Sequence, residues 1–389
     1  MFEQLVTTLV EALVKPELLI WARDSAGFDL PTAAKKIGIS QERLESWESG
    51  LKRPTVSQLR KTASVYKRPI AVFYLQSVPS KQQPVLHDFR RIPSSHDSAY
   101  SPSLAFEIRR AQHRRQIALD LYKTLEERNP VKLKLKADLQ EDPSSVASRI
   151  RDFLGISFAE QTSWRTEYDA LNAWKTAIEE KSILIFQASR IDVAEMRGFS
   201  ISAEYFPVIV LNSKDSPLAR IFTLIHELTH IVTNTEGVCD FHNDKGIEVF
   251  CNAVAGSTLL PFEDFTSDDA AKSSIIEQSW TTEEIRALAN KFKVSKQVLI
   301  RRLLAFNYIS AKTYNTMQQA YETSSENQAT KAKSIAVPQH TKAIATSGKL
   351  FTRLVLSSYN ADMITGPDAS DFLSVKIKHL PQIESAVYP

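Results

Sequence analysis

His226, Glu227 and His230 place two imidazoles and a carboxylate inside the apolar run FTLIHELTHIV, residues 222 to 232. Buried ionisable groups are costly unless something compensates them. On one helix, residues four apart stand about 40° from each other around the axis, so both rings project from one side. Two imidazoles at that spacing can bind one Zn2+, and the carboxylate between them can take a proton from a water molecule. The chemistry this points to is metal-assisted hydrolysis.

Catalytic zinc takes three protein ligands and keeps one position open. Candidates for the third are Cys239, Asp240, His242, Asp244, Glu248 and Cys251. Glu248 ranks first on ligand type and placement: it begins a second apolar helix, IEVFCNAVAGSTLLP, with Asn252 one turn on, and a carboxylate on a buried face needs a positive partner. Cys251 shares that face and is a softer ligand, although buried cysteines commonly just pack. His242 lies in the intervening loop, where solvation is the default.

The elements that must position these groups are partly legible. Ser216 can cap a helix whose first turn holds Pro217, and the helix should run to about Val232, with Asn234 and Gly237 supplying the stop. SILIFQ (182 to 187) and VIVLN (208 to 212) are compact β-branched runs, and MRGFSIS (196 to 202) is a third candidate strand. VIVLN is the candidate for aligning a substrate backbone by strand addition.

A chain of 389 residues should hold two or three domains. No apolar stretch approaches the roughly 20 residues needed to span a bilayer, so no membrane role is expected. The N-terminal MFEQLVTTLVEALVKPELL lacks the basic start and long apolar core of a signal peptide, and two cysteines are too few for a disulfide framework. Both features favour the cytoplasm. A net charge of +3 does not by itself imply nucleic-acid binding. Ten glycines, with no GxGxxG or GxxxxGK[ST], disfavour phosphate loops and turn-dense all-β folds.

Along the chain, residues 1–77 read as a small α domain and 78–103, rich in Pro, Ser and mixed charge, as a linker. Residues 104–270 hold the metal motif. They begin with a helix carrying Arg109, Arg110, Arg114 and Arg115, expected on a solvated face. Residues 271–318 read as helix, turn, helix, with Thr281 and Glu284 fitting a capping box. The polar stretch 319–349 reads as a flexible linker and 350–389 as a C-terminal helical segment.

Two stretches carry resemblances. RIFTLIHELTHIV followed by IEVFCNAVAGSTLLP resembles the ImmA/IrrE family of metallo-endopeptidases. Thr229 stands where that family usually has Gly, and Val254 where it usually has Phe. The resemblance implies that His226, His230 and Glu248 bind zinc and that Glu227 is the catalytic acid/base. It also implies a mainly α fold with a small β-sheet (α+β), with a zincin-like HExxH domain and a helical C-terminal region.

DLPTAAKKIGISQERLESWESGLKRPTVSQLRKTASVYKRP resembles the Cro/repressor-type (XRE) helix-turn-helix. In such a unit the second helix, here starting at Ser40, enters the major groove. Gln41, Arg43 and Ser46 would meet base edges, with Lys52 and Arg53 on phosphate. Glu42, Glu45 and Glu48 outnumber Arg43 on this helix, which opposes approach to a polyanion. Longer members of the ImmA/IrrE family carry both modules, and the resemblance extends to Asp88, Phe89 and Arg90 and to the tail KLFTRLVLSSYNADMITGPDASDFLSVK.

The expectation is a zinc-dependent endopeptidase fused to a helix-turn-helix, cleaving a transcriptional repressor or other regulatory protein, with duplex DNA as a second partner through residues 17–75. The alternative is a DNA-binding transcriptional regulator, or antitoxin-like protein, whose metal site is structural or sensory. A structural site would close the fourth position with Cys239, His242 or Cys251, whereas a peptidase leaves water there.

Overall fold

A computed structural model describes residues 10–79, 101–126, 131–233, 244–277, 280–328 and 338–388. It is mainly helical with one small sheet, the α+β class expected. The chain divides into two compact units, residues 1–85 with 93–110, and residues 86–92 with 111–389.

The first unit packs four short helices, α1 (Pro16–Ser25), α2 (Leu30–Ile37), α3 (Gln41–Glu48) and α4 (Val56–Tyr66), followed by a 3-10 turn over Ile70–Tyr74. Local chemistry sets each start. Asp29 accepts from the Thr32 amide, Ser40 from Arg43, and Thr55 and Gln58 form a reciprocal capping box. Gly38, at φ 78°, ends α2 in the left-handed region and turns the chain into α3. The helices close over Leu19, Ala34, Leu44, Trp47, Leu59 and Phe73. Glu48 is buried at the end of α3, where both its oxygens accept from Arg23, at 2.8 and 3.0 Å.

The division between units falls within α5 (Pro102–Glu126). The arginines of this helix do not form the solvated face expected of them. Arg109 donates to the Ser25 carbonyl, Arg110 pairs with Glu107, and Arg115 donates to the carbonyls of Tyr205 and Phe206. Arg114 is only 4% exposed. It donates to the Thr346 carbonyl and Ser347 hydroxyl, and its guanidinium lies 5.2 Å from the Phe186 ring centroid and 5.8 Å from that of Phe351. Backbone carbonyls and ring faces replace water around these cations.

In the second unit, α6 (Pro143–Leu154), α7 (Phe158–Ser163) and α8 (Glu167–Glu179) lead into β1 (Leu184–Ala188), β2 (Gly198–Ile201) and β3 (Val208–Asn212). The sheet order is β1-β3-β2, with β1 parallel and β2 antiparallel to β3. Every strand residue is buried, as in a sheet covered on both faces. VIVLN is therefore the central strand. Its backbone groups are taken by β1 and β2, so it cannot accept an added strand as the sequence suggested.

The helix bearing the motif, α9 (Pro217–Thr233), packs on β2 and β3, and α10 (Asp244–Leu259) packs on α9 and α6. Its start is the expected one: the Ser216 hydroxyl accepts from the Ala219 amide, with Pro217 as first residue. The expected stop at Asn234 and Gly237 lies outside the described residues. Gly198 lets α9 approach β2 closely, since a Cβ there would lie 2.4 Å from Thr223 Cγ2.

The remaining chain forms α11 (Phe262–Ser267), α12 (Asp269–Glu277), α13 (Thr282–Phe292), α14 (Lys296–Ala305) and α15 (Ala311–Gln328). Then come α16 (Gln339–Ser347), α17 (Lys349–Asn360), α18 (Gly366–Leu373) and α19 (Leu380–Val387). The capping box at Thr281 and Glu284 is present. Helix occupies much of 319–349, where a flexible linker was expected. Ala343 and Ser347 of α16 are buried, and the Arg114 bonds to Thr346 and Ser347 hold its end. The segment from Leu350 to Leu380 is broken by Thr365, which caps α18, and by a second 3-10 turn at Ile377–His379. Among the described residues, no helix is long and apolar enough to cross a membrane.

Candidate metal centre

His226, Glu227 and His230 are 0%, 1% and 2% exposed, buried in the face that α9 turns inward. The two rings point their Nε2 atoms at one another, 3.1 Å apart. From α10, Glu248 reaches the same place, with Oε1 3.2 Å from His230 Nε2 and Oε2 3.5 Å from His226 Nε2. The ligand atoms of His226, His230 and Glu248 all lie within 4.8 Å of one another, a group that could hold a metal ion.

Two neutral imidazoles facing each other can place at most one N–H between them, and the carboxylate adds more acceptors to the same spot. A cation satisfies all three at once, and a donor set of two imidazoles and one carboxylate suits Zn2+. Burial opposes ionisation of Glu248, but hydrogen bonding to His226 and His230 outweighs it and holds the carboxyl well below the usual carboxylate range. The Glu248 side chain is 30% exposed, which leaves the group open to solvent on that side.

Glu227 is not among the converging ligand atoms. Its Oε2 accepts from the Ser200 hydroxyl at 2.8 Å, and its Oε1 lies 3.4 Å from where a Cβ on Gly198 would be. Strand β2 thus presents Gly198 and Ser200, alternate residues on one face, to the carboxylate between the histidines. Sequence reasoning missed Ser200. The signal available was the alternation in MRGFSIS, which puts its serine two residues from the glycine.

Cys251 does not face the ligand cluster. Its Sγ is 3.6 Å from His230 Nδ1, the opposite edge of that ring from the nitrogen facing Glu248. Its sulfur packs against that edge of the ring. Asn252, one turn from Glu248, keeps a buried Oδ1 without a hydrogen-bond partner among the described residues. Arg220 is buried and donates to Gln187 on β1 at 3.0 Å, with its guanidinium 5.8 Å from the Tyr168 ring. Cys239, Asp240 and His242 lie outside the described residues, as does the side chain of Asp244.

The residues expected to meet DNA lie together on α3 and the turn after it. Gln41, Arg43, Lys52 and Arg53 are exposed, and Ser46 is half-buried with its hydroxyl donating to the Arg43 carbonyl. The acidic excess expected on this face is smaller than the sequence suggested. Glu48 is turned inward onto Arg23, and Glu45 accepts from Gln41, which leaves Glu42 and Glu45 as the exposed acids of the helix.

Fold and site together fit a peptidase-type domain joined to a helix-turn-helix module. Residues 179–304 match the family described as the IrrE N-terminal-like domain (peptidase M78), and residues 19–73 match a helix-turn-helix family. The two matches support the ImmA/IrrE architecture with an XRE-type helix-turn-helix. Asp88, Phe89 and Arg90, also part of the resemblance, lie outside the described residues. No curated protein matches the chain. Among solved structures, a Mycobacterium tuberculosis transcriptional regulator is similar at 13% identity and a TM-score of 0.30 over 49% of this chain and 51% of that one. The chain therefore spans about half the length of that structure.

Proposed function

We propose that the protein is a zinc-dependent endopeptidase fused to a helix-turn-helix module, and that it cleaves a transcriptional repressor or other regulatory protein. The observation that carries this reading is the convergence of His226, His230 and Glu248 on one point while Glu227, between the two histidines, is held apart by Ser200. His226, His230 and Glu248 would hold the ion, which when bound supplies Lewis acidity toward a water and a scissile carbonyl. Glu227 takes the proton of the attacking water and delivers it to the leaving amine. Ser200 donates to one oxygen of that carboxylate and fixes its position. Cys251, behind His230, holds the ring with its Nε2 toward the ligand cluster.

The position of Cys251 argues against a structural site closed by that residue. Closing a tetrahedral site with Cys251 requires its sulfur beside the two Nε2 atoms, and it lies at the far edge of the His230 ring. In the first unit, α3 would enter the major groove of duplex DNA, with Gln41, Arg43 and Ser46 toward base edges and Lys52 and Arg53 on phosphate. The reading is supported by the exposure of four of these five side chains and by the inward turn of Glu48.

Metal analysis tests the ligand assignment. The purified chain should hold one zinc, Glu248→Ala should hold little, and Cys251→Ala should stay close to the parent. Loss of zinc from Cys251→Ala with retention in Glu248→Ala would overturn the assignment.

A further inference from the structure

A second concavity opens beside the metal centre. It is bordered by α9 and by the N-terminal halves of α14 and α15. Phe222 and Val298 line it as apolar surface, and Arg197, Arg301, Tyr314 and Gln318 supply polar groups. Among the described residues, no Asp or Glu lines it.

The two arginines are not equivalent. Arg197 is bound to Asp215 at 2.9 Å, which neutralises it and fixes its position. Arg301 is exposed and forms no ion pair among the described residues. The first turn of α14, whose N-cap is Ser295, opens on the same space, and the positive end of a ten-residue helix adds to the field of Arg301. The lining therefore carries a surplus of positive charge above an apolar floor, which suits a carboxylate on a short aliphatic stem.

Its place along α9 ties the concavity to the metal centre. Phe222 is one turn before His226, and the two rings are 6.3 Å apart. An extended peptide advances about 3.3 Å per residue, so a substrate crossing the metal centre would bring a side chain here from within about two residues of the scissile bond. We propose that this concavity is a substrate subsite selecting an acidic side chain next to the cleaved bond, with Arg301 as its specificity-determining residue. The proposal rests on the peptidase reading above.

Two measurements separate the two ideas. The first is binding of fluorescein-labelled decapeptide pools to full-length Glu227→Gln protein with zinc, one pool carrying a fixed central Glu, one Gln and one Lys. The Glu pool should bind about five-fold more tightly than the Gln pool at low salt, the usual scale of a partly exposed charge pair, and the difference should shrink as salt is raised. Arg301→Ala should abolish the difference, and Arg301→Glu should move the preference to the Lys pool. Arg301 is exposed, so both variants should fold.

A pool in which the same carboxylate is the free C-terminus distinguishes side-chain recognition from terminal recognition, and tighter binding of that pool than of the central-Glu pool would contradict a side-chain subsite. Equal binding of the Glu and Gln pools, no binding of any pool, or a Glu preference that survives Arg301→Ala would each overturn the proposal. The second measurement is cleavage of a random peptide library by the parent protein. Cleavage without acidic enrichment within two residues of the cut would sink the subsite and leave the peptidase intact. Absence of cleavage alongside an Arg301-dependent Glu preference would sink the peptidase reading and leave the carboxylate site.

Discussion

Each unit buries a cluster of ionisable side chains, and the two clusters are solved differently. In the first unit, Arg23 and Glu48 meet in a two-pronged ion pair, 13% and 7% exposed, so the charges cancel inside the chain. The hydrogen bond donated to Glu48 holds the Arg23 guanidinium above its ordinary pKa, and Asp24, 2.7 Å away at the surface, adds to it. In the second unit, His226, His230 and Glu248 aim acceptors at one point and present no built-in cation to it. A self-neutral pair is architecture, whereas convergent acceptors call for an ion from outside. This difference, more than burial alone, distinguishes a structural charge cluster from a candidate metal centre.

The largest expected effect of a substitution on stability breaks the comparison on the structural side. Glu48→Ala leaves the Arg23 guanidinium with only the exposed Asp24 and the Phe28 carbonyl as partners and should destabilise the first unit by about 2 kcal/mol, measured by urea unfolding. Replacing both partners together, Arg23→Met with Glu48→Leu, should recover most of that loss, because a well-packed apolar pair is about as stable as a buried ion pair. If the double variant is as unstable as the single one, the pair does more than cancel its own charge.

The metal side should respond to an ion and not to apolar replacement. Zinc at 100 times its dissociation constant should stabilise the protein by about 2.7 kcal/mol, and a chelator should remove the gain. The Glu48→Ala variant should show the same zinc increment as the parent if the clusters are independent. An increment lost in that variant would contradict the separation drawn here.

How much of this was legible in the sequence follows from the same contrast. The pair of histidines stood out because ionisable groups inside FTLIHELTHIV demand compensation, and Ser216 with Pro217 marked the helix that carries them. The three strands were visible as β-branched runs. Their order was not, because pairing of β1 with β3 across 19 intervening residues depends on contacts that no local pattern encodes, and with it went the role proposed for VIVLN. Arg114 and Glu48 were misjudged for one reason. Helical periodicity ranks charged residues as outward-facing, while backbone carbonyls, ring faces or an opposite charge can satisfy them inside. Ser200 was missed because its partner is 27 residues away on another element.

The smallest effect concerns the exposed face of α3 and the turn behind it. If Lys52 and Arg53 contact phosphate, Arg53→Ala should weaken duplex binding several-fold, about equally for all sequences, and lower the salt dependence of binding by about one charge. Gel shifts across a salt series read this out. Binding that survives deletion of residues 17–75 would place any nucleic-acid role elsewhere in the chain.

The central claim is that Glu227 is the group that moves protons and is not a ligand. Glu227→Gln keeps the shape of the side chain, can still accept from Ser200, and cannot take a proton as a base. The decisive measurement is zinc content and cleavage in the same preparation, with repressors encoded near the gene for this protein as substrates. The account predicts zinc and thermal stability close to the parent, with cleavage reduced about 100-fold or more. A Glu227→Gln protein that keeps its zinc and cleaves at the parent rate would contradict it.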